Sequence, residues 1–138
     1  MSLRPFHLAF PVDDLAAARD FYGRIVGCAE GRSSDRWVDF NFFGHQIVTH
    51  MVARRDAGAT NPVDGHNVPV PHFGIVLTMA DFDSLAARFA DADVAFGIAP
   101  YTRFAGEPGE QKTMFVRDPA GNALEFKAFA DDAMLFAT

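Results

Sequence analysis

Two histidines and one glutamate in this chain have the residue types and the spacing of a metal site. His7 and His72 occupy the same place in two similar segments, 6–12 and 71–77, and Glu125 lies among apolar neighbours in segment 123–129. Two imidazoles and one carboxylate bind a divalent ion while leaving coordination positions free for substrate or oxygen. The simpler alternative is two histidines satisfied by hydrogen bonds and a glutamate that faces water from an edge strand. A carboxylate with apolar neighbours needs a partner, and together with the repeat this makes the metal site the preferred interpretation.

The segments that carry the histidines read as short strands, on which successive side chains point to opposite faces. Each histidine then shares a face with a small residue two positions later, Ala9 in the first segment and Gly74 in the second. The pattern predicts open space beside each imidazole.

A helix is predicted after each of these strands. In the first, apolar residues at helical spacing begin after Asp13, a good N-cap, and end near Gly27. The second helix repeats the same steps of three, four and three residues. The two apolar stripes are Leu15, Ala18, Tyr22 and Ile25, and Phe82, Leu85, Phe89 and Ala92.

Three strands are predicted after each helix, near 29–32, 35–43 and 46–52 in the first half and near 95–99, 112–117 and 123–129 in the second. The last pair is joined by Asp-Pro-Ala-Gly-Asn at 118–122, a turn in which the aspartate bonds the local backbone. The chain therefore reads as a single α+β domain of two βαβββ modules, 5–52 and 71–129. Residues 53–70 form a linker too polar and broken to be core, and 130–138 form a tail.

This arrangement resembles the vicinal oxygen chelate superfamily, which includes glyoxalases, bleomycin and fosfomycin resistance proteins and extradiol dioxygenases. The resemblance covers residues 5–128, and its most specific part is the segment 115–126, Phe-Val-Arg-Asp-Pro-Ala-Gly-Asn-Ala-Leu-Glu-Phe. It implies a partly open, mixed β-barrel around a divalent metal, with the helices outside. It also implies that His7, His72 and Glu125 are the metal ligands.

The residue that corresponds to Glu125 in the first module discriminates among the activities of the family. Glu125 lies four residues after Gly121, and Val48, four residues after Gly44, cannot ligate a metal. A site with three protein ligands resembles that of the extradiol dioxygenases. Gln46 and His50 share the face of Val48, so His50 is either a fourth ligand, an acid/base group or a surface residue.

The resemblance implies a dioxygenase acting on a small catechol-like or vicinal-oxygen substrate, with Fe(II) favoured and Mn, Ni or Zn as alternatives. Extradiol enzymes carry a further His and a Tyr in the second module, whereas this chain has Tyr101 alone between His72 and Asp118. His50 and Tyr101 are the available catalytic groups. The alternatives are a glyoxalase-type isomerase or lyase, and a ligand-sequestering protein like those of bleomycin resistance.

The stretch 101–111 is predicted to be a loop, because Gly106, Pro108 and Gly109 interrupt regular structure. It is interpreted either as a substrate clamp, in which Arg103 pairs an anionic group, or as an ordinary solvated loop. His45 and His66 are expected to be exposed, and Cys28 to pack in the interior.

Composition restricts the partners. The 138 residues carry 18 acidic and 12 basic side chains, a formal charge of -6, which disfavours nucleic acid and anionic lipid. No apolar run is long enough for a membrane span, no export signal is evident, and the cytoplasm is the expected location. We expect a small-molecule substrate and a homodimer, in which the apolar tail, with Met134, Leu135 and Phe136, covers a partner.

Overall fold

The computed structural model describes residues 2–53 and 59–138, and divides them into two compact units. The first unit comprises Met1–Ala57 and Asp118–Asn122, and the second comprises Gly58–Arg117 and Ala123–Thr138. The Asp-Pro-Ala-Gly-Asn turn therefore belongs to the first unit, although the strands on either side of it belong to the second.

The first unit is built on a four-stranded sheet. Its strands are β1 (His7–Val12), β2 (Ala29–Ser33), β3 (Trp37–Phe42) and β4 (His45–Met51), in the order β1-β4-β3-β2. Strand β1 is parallel to β4, and the other pairs are antiparallel. Between β1 and β2 the chain forms helix α1 (Leu15–Ala18), which continues as a π-helical segment (Arg19–Ile25).

The second unit repeats this topology after a two-stranded hairpin. The hairpin consists of β5 (Ala59–Val63) and β6 (His66–Val70). The sheet contains β7 (Phe73–Leu77), β8 (Phe96–Arg103), β9 (Gln111–Arg117) and β10 (Ala123–Phe129), in the order β7-β10-β9-β8. Helix α2 (Met79–Asp91) follows β7, and a 3-10 turn (Asp132–Met134) follows β10. The predicted α+β class and both βαβββ repeats are confirmed, and each sheet is open, since neither closes on itself.

The helical stripes pack as their spacing predicts. Leu15, Ala18, Tyr22 and Ile25 are all buried, as are Phe82, Leu85 and Phe89, whereas Ala92 is the C-cap of α2 and half-buried. The rings of Tyr22 and Phe40 lie 5.6 Å apart, and those of Phe89 and Phe126 lie 5.7 Å apart. Aromatic side chains therefore join each helix to its sheet. The N-cap of α1 is Asp14 and not Asp13, because the Asp14 carboxylate accepts from the Ala17 N–H at 3.0 Å.

The turn at 118–122 is organised by one buried carboxylate. Asp118 Oδ1 accepts from the backbone N–H groups of Ala120 and Asn122, and Oδ2 accepts from Asn122 Nδ2 and from the Tyr22 hydroxyl at 2.7 Å. Asn122 Nδ2 also donates to the Pro11 carbonyl oxygen. Burial and the Asp118 charge raise the pKa of Tyr22 well above its ordinary value, so this phenol stays a hydrogen-bond donor. The predicted backbone-bonding role of Asp118 is confirmed and extends to a side chain of the first helix.

The segments between the predicted elements contain more regular structure than the sequence predicts. The described part of the linker is the β5–β6 hairpin, closed by Asp64 and Gly65 with φ of 50° and 77°, the conformation of a two-residue turn that suits strand twist. His66, predicted to be exposed, is half-buried and lies against Tyr101, with ring centroids 5.0 Å apart. In addition, Tyr101 and Arg103 belong to β8 and not to a loop, so their positions are set by pairing with β9.

Within the described residues, no helix has the length and apolar character that a membrane span requires. Among the other residues considered above, Cys28 is buried as expected, and Phe136 in the tail is 89% exposed. His45, predicted to be exposed, is half-buried, and its Nδ1 accepts from the Phe6 N–H at 2.8 Å.

Candidate metal centre

A hydrogen bond to the backbone determines which ring nitrogen of neutral His72 is free to bind a metal. Its Nδ1 lies 2.7 Å from the Pro69 carbonyl oxygen, which can only accept a hydrogen bond, so Nδ1 carries the proton. Nε2 then holds a lone pair. A ring contact with Phe115, at 5.1 Å between centroids and almost perpendicular, further fixes the imidazole. Histidines that bind metals are oriented in this way by a hydrogen bond from the other nitrogen.

The His72 lone pair faces the carboxylate of Glu125. Nε2 lies 2.9 Å from Oε2, and the Glu125 side chain is only 14% exposed. The other carboxylate oxygen, Oε1, accepts from the Thr113 hydroxyl at 2.8 Å and lies 3.6 Å from Lys127 Nζ. Two acceptors this close require a cation between or upon them, which is either a proton on His72 or Glu125 or a bound metal ion.

His7 is oriented by a relay of side chains on one face of the first sheet. Its Nδ1 lies 2.7 Å from Gln46 Oε1, and Gln46 Nε2 donates to Asp39 Oδ2 at 3.2 Å. Because the buried Asp39 carboxylate can only accept, it fixes the Gln46 amide with its oxygen toward His7. His7 Nδ1 therefore carries the proton, and its Nε2, like that of His72, holds the lone pair.

The strand register identifies the residue of the first unit that corresponds to Glu125. Glu125 pairs with Gly74, two residues after His72, and Val48 pairs with Ala9, two residues after His7. Val48 is therefore the counterpart of Glu125, as the spacing from the hairpin glycines predicts. No oxygen or nitrogen ligand is available at this position.

His50 lies further along the same strand. It pairs with Pro11 and Trp37 and is exposed, whereas Gln46 pairs with His7. Four residues of strand separate Gln46 from His50, which is about 13 Å. The structure places His50 on the same face as His7 but does not bring the two together.

Tyr101 and Arg103 lie on the same face of the second sheet as Glu125. Tyr101 pairs with Thr113, whose hydroxyl bonds Glu125, and Arg103 pairs with Gln111. Both side chains contact Asp64 at the tip of the β5–β6 hairpin: Arg103 Nε lies 2.5 Å from Asp64 Oδ2, and the Tyr101 hydroxyl donates to the same oxygen at 3.2 Å. Desolvation and the Asp64 carboxylate raise the pKa of Tyr101, so it is a proton donor and not a base near neutral pH.

Sequence reasoning missed three polar residues of these surfaces: Asp39, Asp64 and Thr113. Asp39 is the one charged residue of β3, and Asp64 precedes a glycine in a sequence typical of a hairpin turn. Both signals were present. The partner of Thr113 depends on how β9 pairs with β10, which spacing alone does not give.

The donor set suits a divalent cation. Imidazole and carboxylate are common ligands of iron, zinc, nickel and manganese, and both histidines have the required tautomer. His7 belongs to the first unit, and His72 and Glu125 belong to the second. In residues 2–53 and 59–138 no group of three or more His, Cys, Asp or Glu side chains is placed to hold one ion. The pair that the structure brings together is His72 and Glu125.

Gln46 is expected to act as a positioning residue for His7. Replacing Gln46 with leucine removes the acceptor that fixes the His7 tautomer, and we expect divalent-metal affinity to fall about tenfold or more. Competition with a fluorescent chelator measures the change. Gln46→Glu combined with Asp39→Asn, which keeps an acceptor oxygen toward His7 and a donor–acceptor pair between positions 39 and 46, is the matched control and should retain more of the affinity. Unaltered metal affinity in Gln46→Leu would show that this hydrogen bond orients no ligand.

Comparisons with known proteins agree with this architecture. The chain is 35% identical to a glyoxalase/bleomycin resistance protein/dioxygenase from Alicyclobacillus acidocaldarius, with 96% of each chain covered and a TM-score of 0.78. It shares the fold of the fosfomycin resistance protein FosX from Listeria monocytogenes, at 17% identity, coverage of 97% of this chain and 98% of FosX, and a TM-score of 0.72. A glyoxalase/dioxygenase from Nostoc punctiforme is similar at 18% identity, 91% and 90% coverage and a TM-score of 0.68.

No protein of curated function matches the chain at a significant level. Residues 4–126, by contrast, match the family described as the Glyoxalase/Bleomycin resistance protein/Dioxygenase superfamily. The match covers both repeats, both histidines and Glu125. The chain belongs to the Glyoxalase/Bleomycin resistance protein/Dioxygenase superfamily.

Proposed function

We propose that this protein is a metal-dependent dioxygenase of the extradiol type that acts on a small catechol-like or vicinal-oxygen substrate. His7, His72 and Glu125 would hold the metal, with Fe(II) favoured over Mn, Ni or Zn. A bound divalent ion would supply positive charge to two adjacent substrate oxygens and link them electronically to oxygen.

One observation carries the proposal: the lone pair of His72 Nε2 and Glu125 Oε2 face each other at 2.9 Å. The hydrogen bond to Pro69 supports a lone pair at this position, and Thr113 and Lys127 engage the other oxygen of Glu125. An imidazole lone pair and a carboxylate oxygen that face each other in this way suit a bound cation. A proton on His72 or Glu125 is the competing explanation.

The absence of a ligand at Val48 favours dioxygenase over isomerase chemistry. A glyoxalase-type isomerase uses a carboxylate to move a proton, and in this chain the register puts an apolar side chain opposite Ala9. Three protein ligands leave more coordination positions open for a bidentate substrate together with oxygen.

The chain offers separate groups for proton transfer. Tyr101 stays protonated because its pKa is raised, so we assign it the role of a hydrogen-bond donor to the substrate or a proton donor to the product. His50, exposed on the same sheet face as His7 but four residues of strand from Gln46, is the proposed base for a substrate group that extends along β4.

A glyoxalase-type isomerase or lyase is the second candidate, and one observation favours it. The buried carboxylate of Asp39 lies on the same face as His7 and is joined to it through Gln46. A carboxylate in that position is a candidate proton carrier. The family also contains proteins that sequester a ligand without chemistry, and this remains the third candidate.

The proposal is tested by purifying the protein without oxygen, determining its bound metal and measuring oxygen uptake with a panel of catechols. The expected result is metal-dependent uptake with a ring-opened product. Isomerisation of a thiohemiacetal without oxygen would replace the proposal with the glyoxalase-type activity. Tight binding of an apolar ligand without metal would replace it with sequestration.

The homodimer and the cytoplasmic location inferred from the sequence stay predictions. Light scattering of the full chain and of a chain ending at Phe129 tests whether the tail, in which Phe136 is exposed, covers a partner.

A further inference from the structure

A second group of polar side chains lies on the same sheet face as Glu125, further along the strands. It comprises Asp64, Tyr101, Arg103 and Gln111, which we call the tip cluster. Arg103 and Gln111 are directly paired across β8 and β9, and Asp64 reaches them from the hairpin turn. Neither Asp64 nor Gln111 is a proposed metal ligand or proton-transfer group.

Two buried polar atoms of the tip cluster lack a hydrogen-bond partner among the residues that the structure describes. One is Gln111 Oε1, an acceptor on a side chain whose residue is only 8% exposed. The other is Arg103 Nε, a donor, which contacts Asp64 Oδ2 as an ion pair but without the alignment of a hydrogen bond. A buried polar atom without a partner is costly, so Gln111 Oε1 is a candidate for a ligand contact, whereas Arg103 Nε is compensated by the Asp64 carboxylate and becomes available to a ligand when that carboxylate moves away.

The two atoms differ in what they require. Arg103 favours an anionic oxygen, and a guanidinium binds a carboxylate particularly well. Gln111 Oε1 requires a donor, such as a hydroxyl. Since these residues are neighbours across the ladder, their side chains suit a carboxylate with a hydroxyl beside it, the head group of a 2-hydroxy acid.

The tip cluster also has a defined distance from the proposed metal ligand. Gln111 lies two residues from Thr113 on β9, and Thr113 bonds Glu125. Two residues of strand span about 7 Å. Because Glu125 itself pairs with Phe115, a substrate that places its adjacent oxygens near the Glu125 carboxylate, beside Thr113, has to extend about 7 Å or more along β9 to reach the tip cluster.

We propose that Arg103 and Gln111 form a head-group subsite for a 2-hydroxy acid, and that Asp64 holds the place of the substrate carboxylate when the subsite is empty. The position of the substrate's reacting oxygens near Glu125 rests on the proposed function, whereas the head-group subsite itself does not. The substrate class is an aromatic 2-hydroxy acid with vicinal oxygens on its ring. Binding displaces the Asp64 carboxylate from Arg103 and frees the Tyr101 hydroxyl for the ligand.

Three catechols that differ only in the head group test this assignment: 3,4-dihydroxymandelate, 3,4-dihydroxyphenylacetate, which lacks the hydroxyl, and 3,4-dihydroxyphenylglycol, which lacks the carboxylate. Calorimetric titration without oxygen prevents turnover. We expect affinity to fall in that order. Arg103→Met should abolish the advantage of the two acids over the glycol, and Gln111→Leu should reduce the advantage of the mandelate over the phenylacetate by about threefold to tenfold.

Asp64→Asn tests the internal competitor. Removing its charge should tighten both acids by roughly fivefold and leave the glycol unchanged, since a half-exposed ion pair is worth a modest amount. Asparagine still offers an oxygen to Tyr101. The matched control is Asp83→Asn, which removes a carboxylate from the pair with Lys112 at 2.9 Å and should change none of the three affinities. Equal effects of Asp64→Asn on acids and glycol would overturn the proposal, as would an acid preference that survives Arg103→Met.

Mandelate, which has no ring oxygens, separates this inference from the proposed function. Binding of mandelate that requires Arg103 and tightens in Asp64→Asn supports the subsite even where no catechol consumes oxygen. If oxygen uptake is equal for the acids and the glycol, and Arg103→Met has no effect on mandelate binding, then the subsite proposal is wrong while the proposed dioxygenase activity is retained.

Discussion

Glu125→Gln is expected to lower the affinity for a divalent metal by about a hundredfold or more while leaving the metal-free protein folded and equally stable. The substitution removes the anionic ligand but keeps the shape of the side chain. Its oxygen can still accept from Thr113, and its new N–H group can donate to the lone pair of His72 Nε2. No cation is then required between residues 72 and 125, because an amide N–H donor faces the His72 Nε2 acceptor.

A structural ion pair would behave in the opposite way. If His72 is an imidazolium paired with Glu125, then the glutamine replaces a charged hydrogen bond with a neutral one, and the free energy of unfolding should fall by about 1–3 kcal/mol. Metal affinity, measured by chelator competition, would not change. Two measurements therefore distinguish metal ligation by Glu125 from a structural ion pair: thermal and urea unfolding of the metal-free proteins, and titration with metal.

Glu30→Gln is the matched control. Glu30 is also a strand glutamate in an ion pair, with Arg19 Nε at 3.0 Å, but its side chain is 38% exposed. An exposed pair contributes little to stability, so we expect a change of less than about 1 kcal/mol and unchanged metal binding. Equal metal loss in both variants would point to a general effect of charge and not to ligation by Glu125.

Much of the architecture could be predicted because it depends on short-range patterns of apolar and polar residues. Period-two alternation identified the strands of both sheets, the stripe from Leu15 to Ile25 identified the first helix, and the repeat paired His7 with His72. These signals arise because the buried face of a strand or helix carries apolar side chains at a fixed spacing, which can be recognised within a short segment. The counterpart of Glu125 was also accessible, since hairpin turns fix register at a known distance.

The hairpin at 59–70 was missed because its strands carry residues typical of loops. Pro62 and Pro69 each lie within a strand. A two-stranded ribbon tolerates proline, since half of its backbone N–H groups face away from the partner strand. The Asp64-Gly65 turn was the stronger signal. The contacts of Asp64 with Tyr101 and Arg103 could not be inferred, because they join residues that only the packing of the hairpin brings together.

The neighbourhood of Gly74 was also misjudged. The small residue beside His72 was expected to leave open space, but that space is filled by the partner strand. A Cβ atom added at Gly74 would lie 1.5 Å from the carbonyl oxygen of Glu125 and 2.6 Å from its carbonyl carbon. Gly74 is required because β7 approaches the backbone of β10 closely at the residue that carries the proposed ligand.

Gly74→Ala is therefore expected to destabilise the protein by about 3 kcal/mol or more, because the obstructing atoms belong to a paired backbone that cannot rotate away. For a chain of this length the loss corresponds to a fall in Tm of about 10 °C. The strands must separate or shift at Glu125, so metal affinity should fall as well. Scanning calorimetry and chelator competition measure the two effects.

Gly97→Ala provides the comparison within the same sheet. A Cβ atom at Gly97 would meet the Phe115 carbonyl oxygen at 3.7 Å and the Phe115 Cβ at 3.9 Å, which are ordinary contacts. The change should be neutral or stabilise by up to about 1 kcal/mol, since alanine reduces the entropy of the unfolded chain. Similar Tm values for the two variants would mean that β7 and β10 do not pair in this register, and the placement of Glu125 beside His72 would lose its structural basis.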